Sequence, residues 1–168
     1  MTSWTTPRTW ASETMTSTLL NTHLRDNLNH LSEQISRTGW TAFTPVWTNL
    51  SIGNGTNTGL YAYAGKTTLF RVVLTFGSTT SISGSVSVNY PETAIGYGAT
   101  IQVGQLKMLD ASGNLYMGAV FHSSTTAMLL KTFSVSGSSI IEAVLSSTVP
   151  FTWTTSDQIL IHGLFERA

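Results

Sequence analysis

Two hydrophobic periods divide the chain. From Thr16 to Ile35 the apolar positions recur at helical spacing: Leu24, Leu28, Leu31 and Ile35 follow one another at alternating steps of four and three. Leu20, one turn before Leu24, extends the stripe toward the N-terminus. Asn21, Arg25, Asp26, Asn29, Ser32 and Glu33 keep the remaining surface polar. Thr16, Ser17 or Thr18 can supply the N-cap oxygen, and Gly39 is a fitting stop just past the last turn. A single helix with so narrow a stripe is marginal in water, so it must lie against its own domain, copies of itself or a partner.

From Leu60 onward the period is two. Phe70, Val72, Leu74 and Phe76 alternate with Arg71, Val73 and Thr75, and Ile82, Gly84, Val86 and Val88 alternate with serines. Further strands are predicted over 100–109, 115–121, 127–135, 140–145 and 158–165, with Asp110-Ala111-Ser112-Gly113-Asn114 as a hairpin turn. No helix is expected after Gly39. Short strands separated by Gly and Ser/Thr turns predict a mainly β fold, an antiparallel β-sandwich of jelly-roll type. The expected organisation is an extended arm over 1–15, a helix over 16–38, a turn-rich linker over 39–58 and a β-domain over 59–168. In the last strand Ile159, Ile161 and Phe165 share one face, while Leu160, His162 and Leu164 share the other. With apolar groups on both faces, this strand should be covered on both sides, by a loop or by another subunit.

The arm has no period. Pro7 disfavours helix at Thr6, and Trp4 and Trp10 stand as large apolar groups outside any pattern, with Arg8 between them. They either fold back on the domain or fill a groove on another protein, where Trp and Arg are enriched.

Composition narrows the partners. The chain of 168 residues is 41% hydrophobic, enough for one ordinary core, yet only 10% charged, against roughly 25% in typical domains. The formal net charge is zero and no basic cluster occurs, which argues against nucleic acid and anionic membranes as partners. So weakly charged a surface suits an assembly better than a free monomer. Without cysteine there is no disulfide or thiol chemistry. The first residues lack the pattern of a signal peptide and no stretch is apolar enough to span a bilayer, so a soluble, unexported chain is expected.

Candidate chemistry is sparse. His23 and His30 are seven residues apart, whereas a helical metal pair needs three or four. His122 precedes Ser123 and Ser124 in an expected loop, and serine is too common here for a Ser near a His to carry meaning. The carboxylates are scattered, and Asp110 and Asp157 sit in turn-forming sequences. Neither an enzymatic activity nor a cofactor nor a metal is expected. Exposed aromatics beside polar groups could contact a glycan, with Tyr61, Tyr63, Tyr97 and Tyr116 as candidates.

The opening Pro7-Arg8-Thr9-Trp10, followed by Leu19-Leu20-Asn21-Thr22-His23-Leu24-Arg25-Asp26-Asn27-Leu28, resembles the N-terminal segment of tailed-bacteriophage structural proteins, the minor tail or short fibre-like proteins. Trp47-Thr48-Asn49-Leu50, Gly53-Asn54-Gly55, Gly65-Lys66, Phe76-Gly77-Ser78-Thr79, Ser83-Gly84-Ser85 and Pro150-Phe151-Thr152-Trp153 continue the likeness. The resemblance implies a non-catalytic virion component, assembled in the host cytoplasm and displayed on the particle. It also implies a homotrimer anchored to capsid or tail proteins through Trp4, Pro7, Arg8 and Trp10, with a β-rich knob outward. No collagen-like or β-helical shaft separates helix from knob, so a compact fibre, a tail-tip component and a capsid decoration all fit. In a parallel trimer Leu20, Leu24, Leu28, Leu31 and Ile35 would face their own copies, and Asn21 would fix alignment from an a-type position. Two other classes are a free, monomeric carbohydrate-binding module and a small hydrolase.

Overall fold

The structure, a computed structural model, describes residues 4–6, 14–36, 39–98 and 100–168. The arm residues Pro7, Arg8 and Trp10 and the side chain of Ile35 fall outside the described set. The chain divides into two compact units, Met1–Gly39 and Trp40–Ala168.

In the first unit a helix begins with α1 (Ser17–Leu20), widens into a π-helical turn (Asn21–Arg25) and resumes as α2 (Asp26–Ser36). Of the three possible caps, Thr16 is used: its backbone is extended and its hydroxyl accepts from Leu19 N at 3.3 Å. That bond satisfies one of the amides left unpaired at a helix start. The π-turn places five residues where an α-helix would need fewer, which shifts Leu20 around the rod relative to Leu24. No described residue of α1 or the π-turn is buried.

The second unit is mainly β. Among the described residues ten strands run from β1 (Thr41–Phe43), β2 (Trp47–Ser51), β3 (Thr56–Ala64), β4 (Thr67–Thr75) and β5 (Ser81–Asn89) to β6 (Gln102–Leu109), β7 (Leu115–His122), β8 (Ala127–Ser136), β9 (Ser139–Val144) and β10 (Gln158–Glu166). Their ladders are antiparallel and join all ten into one curled sheet, in the order β1-β3-β4-β10-β6-β7-β8-β5-β2, with β9 also on β8. The period-two pattern decides which face turns inward. On β4 Phe70, Val72 and Leu74 are fully buried, and Ile159, Ile161 and Phe165 of β10, Leu106 and Met108 of β6 and Met128 and Leu130 of β8 meet them in one core. Each such side chain contributes about 1.5–3 kcal/mol by leaving water. The turn from β3 to β4 needs Gly65 at φ 63°, a conformation that glycine adopts without penalty.

Segment 39–58, expected as a linker, instead supplies β1, β2 and the start of β3. It joins the two ends of the strand path. Trp47 Nε1 donates to Asn57 Oδ1 at 3.1 Å, Asn57 Nδ2 donates to Pro45 O at 2.8 Å, and Val46 N donates to Asn89 Oδ1 at 2.7 Å. Trp47 and Leu50 both enter the core although three residues apart, because Asn49 takes φ 60° and the β2–β5 register slips there. That break in alternation disguises the strand.

Candidate interaction surfaces

The leucine stripe of the first unit is uncovered. Leu24 and Leu28 are 55% and 57% exposed, and Leu20 and Leu31 are exposed as well. Met15, Leu20, His23 and Leu24 surround a shallow apolar hollow of about 230 Å³. Asn21 is also exposed. A different face of the helix is occupied by the start of the chain. Thr5 N donates to Asn27 Oδ1 and Asn27 Nδ2 donates to Thr5 O, both at 3.0 Å, and the same Nδ2 donates to His23 O at 3.2 Å. Asn27 is buried beneath this exchange, and Trp4 lies beside His30 with ring centroids 6.1 Å apart. Trp4 therefore folds back on its own unit, and half of its surface stays open to solvent. Nothing in the pattern of residues singled out Asn27. It reads as one more polar helix position.

On the β-unit the outer face of the sheet carries apolar groups that stay exposed. β10 lies between β4 and β6, so its outward side chains sit mid-sheet: Leu160 is half-buried, His162 is exposed and Leu164 is 58% exposed. Leu164 pairs with Leu69, and His162 pairs with Arg71 and Gln105. The Arg71 guanidinium lies 5.1 Å from the centroid of the exposed Trp40 ring, within the range of a cation–π contact. Between Trp40, Leu69 and Leu164 runs a trough of about 330 Å³, floored by Phe70 and Gly163 and lined almost wholly by carbon. Gly163 cannot be replaced there, since a Cβ would stand 2.2 Å from Val103 O. Among the described residues of this unit, none covers the outer face of β10 at His162 and Leu164.

A second apolar patch lies across β6. Val135 and Ile140 face each other at the end of the β8–β9 hairpin and are 78% and 75% exposed. Phe133 shares their face by alternation, and Met117 and Phe133 each lie one residue beyond the Gly118–Thr132 pair. The ion pair Lys131–Glu142, at 2.8 Å, borders the patch.

The four candidate tyrosines do not form one site. All are partly buried. Tyr61 packs on Phe43 and Tyr63. Tyr63 donates its hydroxyl to Glu92 Oε1, while Arg167 covers the ring at 4.5 Å and stands 3.9 Å from Glu92 Oε2. Burial and the Glu92 carboxylate both raise the Tyr63 pKa. Tyr97 accepts from Glu166 N at 2.6 Å. Tyr116, opposite Met108 and hence level with Ile159, is at the far end of β10 from Glu166. It joins an aromatic row through Phe151 and Trp153 to Phe76. Tyr63 and Tyr97 thus spend their hydroxyls on the fold, pinning the last residues of the chain.

His122, expected in a loop, ends β7 and is buried. Its Nδ1 meets Tyr90 Oη at 3.0 Å, beside the rings of Tyr97 and Phe165. Burial raises the Tyr90 pKa, with a smaller push from Tyr97. Asp157 is a turn former, as its sequence predicts: its carboxylate accepts from Ala111 N at 2.8 Å, from Thr154 N and from Thr154 Oγ1 at 3.3 Å, tying the 110–114 turn to the 154–157 turn. Asp110 accepts from Ser112 N at 2.8 Å, and that bond holds its carboxyl below the usual range. Among the described residues no three His, Asp or Glu side chains gather as metal ligands do, and no helix is long and apolar enough to cross a membrane.

Compared with family models, with curated proteins and with solved structures, the chain matches none.

Proposed function

We propose that the chain is a non-enzymatic structural protein of a tailed-phage particle: a short homotrimer, anchored through its N-terminal segment and displaying the β-unit at the surface. The observation that carries this is the leucine stripe. Leu24, Leu28 and Leu31 follow one helix face and Leu20, offset by the π-turn, continues it, all four exposed in the single chain, a seam that three parallel copies would bury knobs-into-holes. Leu20, Leu24, Leu28 and Leu31 form it, with Ile35 as the next member by spacing. The Trp4-to-Trp10 segment, residues Pro7 and Arg8 included, is the part that would contact capsid or tail proteins, with Trp4 already held against the helix by its neighbour Thr5. The curled sheet then serves as a sandwich-like knob, in which inward side chains of β4, β6 and β10 meet those of β5 and β8 in one core.

A free carbohydrate-binding module fits less well, because a monomer would leave the stripe in water and the candidate tyrosines spread over both ends of the β-unit. Immunogold labelling of phage particles from the bacterium that carries the gene tests the proposal. Gold on intact particles is the expected result, and its position assigns head or tail. Particles that carry no label while the chain is found free in the lysate would overturn it.

A further inference from the structure

Charge is unevenly paired in the β-unit. Among the described residues Lys66 stands 4.0 Å from Glu166, Lys131 2.8 Å from Glu142 and Arg167 3.9 Å from Glu92. Asp110 and Asp157 accept from backbone amides of their turns. Arg71 and Lys107 are the cations left with no carboxylate partner among these residues, and both are exposed. Far apart in sequence, they are gathered by strand pairing. His162 of β10 lies opposite Arg71 on one side and opposite Gln105 on the other, and Lys107 follows two residues after Gln105 on the same outer face. Side chains directly opposite stand about 5 Å apart and diagonal ones about 7–8 Å. A cationic row with no acid of its own favours an anion from outside the chain.

The same face is hollowed on both sides of β10. The carbon-lined trough beside Trp40 meets, across His162 and Leu164, a second hollow of about 490 Å³ whose far wall is Gln102, Gly104 and Gln105. Trp40 is 45% exposed, and the Arg71 guanidinium rests 5.1 Å from the centroid of its ring. A guanidinium stacked in this way keeps its N–H edge open to both oxygens of a carboxylate. We propose that this face binds an acidic saccharide of the uronic-acid type. Its carboxylate is held by Arg71, with His162 and Lys107 beside it. A hydroxyl meets the exposed amide of Gln105, and the apolar side of the sugar ring packs against Trp40 and Leu69. A peptide strand finds no edge here, because β10 is paired with both β4 and β6. A nucleic-acid backbone calls for more cations than Arg71 and Lys107. As the ligand of the displayed β-unit, the saccharide deepens the particle reading above and rests on it for its setting.

Titration of the full-length chain with oligogalacturonate, followed by tryptophan fluorescence, tests this, with the fully methyl-esterified oligomer as the same ring without its charge. The acid is expected to bind about tenfold or more tightly than the ester, and Arg71→Gln should remove that margin. Arg71→Lys, which keeps the charge but loses the planar fork, should weaken binding as well. Lys131→Gln should leave it unchanged, since that ammonium is already paired with Glu142. Arg71 is exposed, so its variants should unfold at the wild-type temperature. No binding of the acid, or equal binding of acid and ester, would overturn the proposal. An equal loss from Lys131→Gln would overturn it too, by reducing the effect to general attraction. Tighter Arg71-dependent binding to single-stranded DNA or to phosphatidylglycerol vesicles would replace the saccharide as occupant and overturn it likewise. The mass of the same sample separates the two readings. A trimer that ignores the acid removes the site and leaves the particle reading, whereas binding by a chain of single-chain mass removes the trimer and leaves the site.

Discussion

Asn27 and Thr5 exchange two hydrogen bonds of 3.0 Å, so that one side-chain amide pairs with a backbone peptide as a neighbouring strand would. The pair joins residues 22 positions apart and buries the amide of a residue that helical spacing would class as polar surface. Asn27→Ala removes both bonds and leaves the start of the chain held by the Trp4–His30 contact alone among those described. With each bond worth about 0.5–1.5 kcal/mol net, exchange of the Thr5 amide with solvent should accelerate by about tenfold, measured by hydrogen–deuterium exchange. Unaltered exchange would mean that the clamp is not what holds the arm.

The Tyr90–His122 pair predicts a response to alkali. Tyr90 and Tyr63 both have pKa values raised above the ordinary tyrosine value near 10. In each the folded state favours the protonated phenol, so the stability that this contributes is fully present below pH ~10 and is lost as pH rises through the folded pKa. Of the five tyrosines, these two should resist ionisation in a spectrophotometric titration of the native protein and should titrate normally in denaturant. Tyr90→Phe leaves the buried His122 Nδ1 without its hydroxyl partner and should cost about 1–3 kcal/mol in chemical denaturation.

Asp157 is the most connected carboxylate of the β-unit. Asp157→Asn keeps the shape but sets an amide against the Thr154 or Ala111 N–H that a carboxylate oxygen had accepted. A loss of about 1.5–3 kcal/mol is expected, which for a chain of this length lowers Tm by about 3–12 °C. The same substitution at Asp110, whose turn is exposed, should lower stability slightly at neutral pH and leave variant and wild type alike in strong acid: a carboxyl held below its usual range stabilises at neutral pH and ceases to do so as pH falls.

Much of the β-unit was legible in the chain because its strands alternate cleanly. The serines of β5 and the Phe70-Val72-Leu74 run of β4 place their apolar partners on one face without ambiguity. β2 was hidden by the positive φ of Asn49, which lets Trp47 and Leu50 point the same way at a spacing that strands do not normally use. The buried end of β7 was hidden too, since His122 before two serines reads as the start of a loop while tertiary contacts with Tyr90 and Tyr97 decide its place. In the helix unit the stripe and the Thr16 cap follow from spacing and from short-range hydrogen bonding. The π-turn does not, because neither glycine nor proline marks Asn21–Arg25. The two patches of the β-unit lay half in view. The sequence put apolar groups on both faces of β10, but the concave trough and the convex hairpin end exist only once β4, β10, β8 and β9 are paired.

Self-association through the leucine stripe is the claim on which the rest depends, and the absolute mass of the purified full-length chain by light scattering on a sizing column tests it most directly. The account predicts three times the 18.1 kDa chain mass, falling to a single chain in Leu28→Asp. A wild-type chain that elutes at 18.1 kDa across the micromolar range would contradict it, and would leave the stripe without its proposed partner.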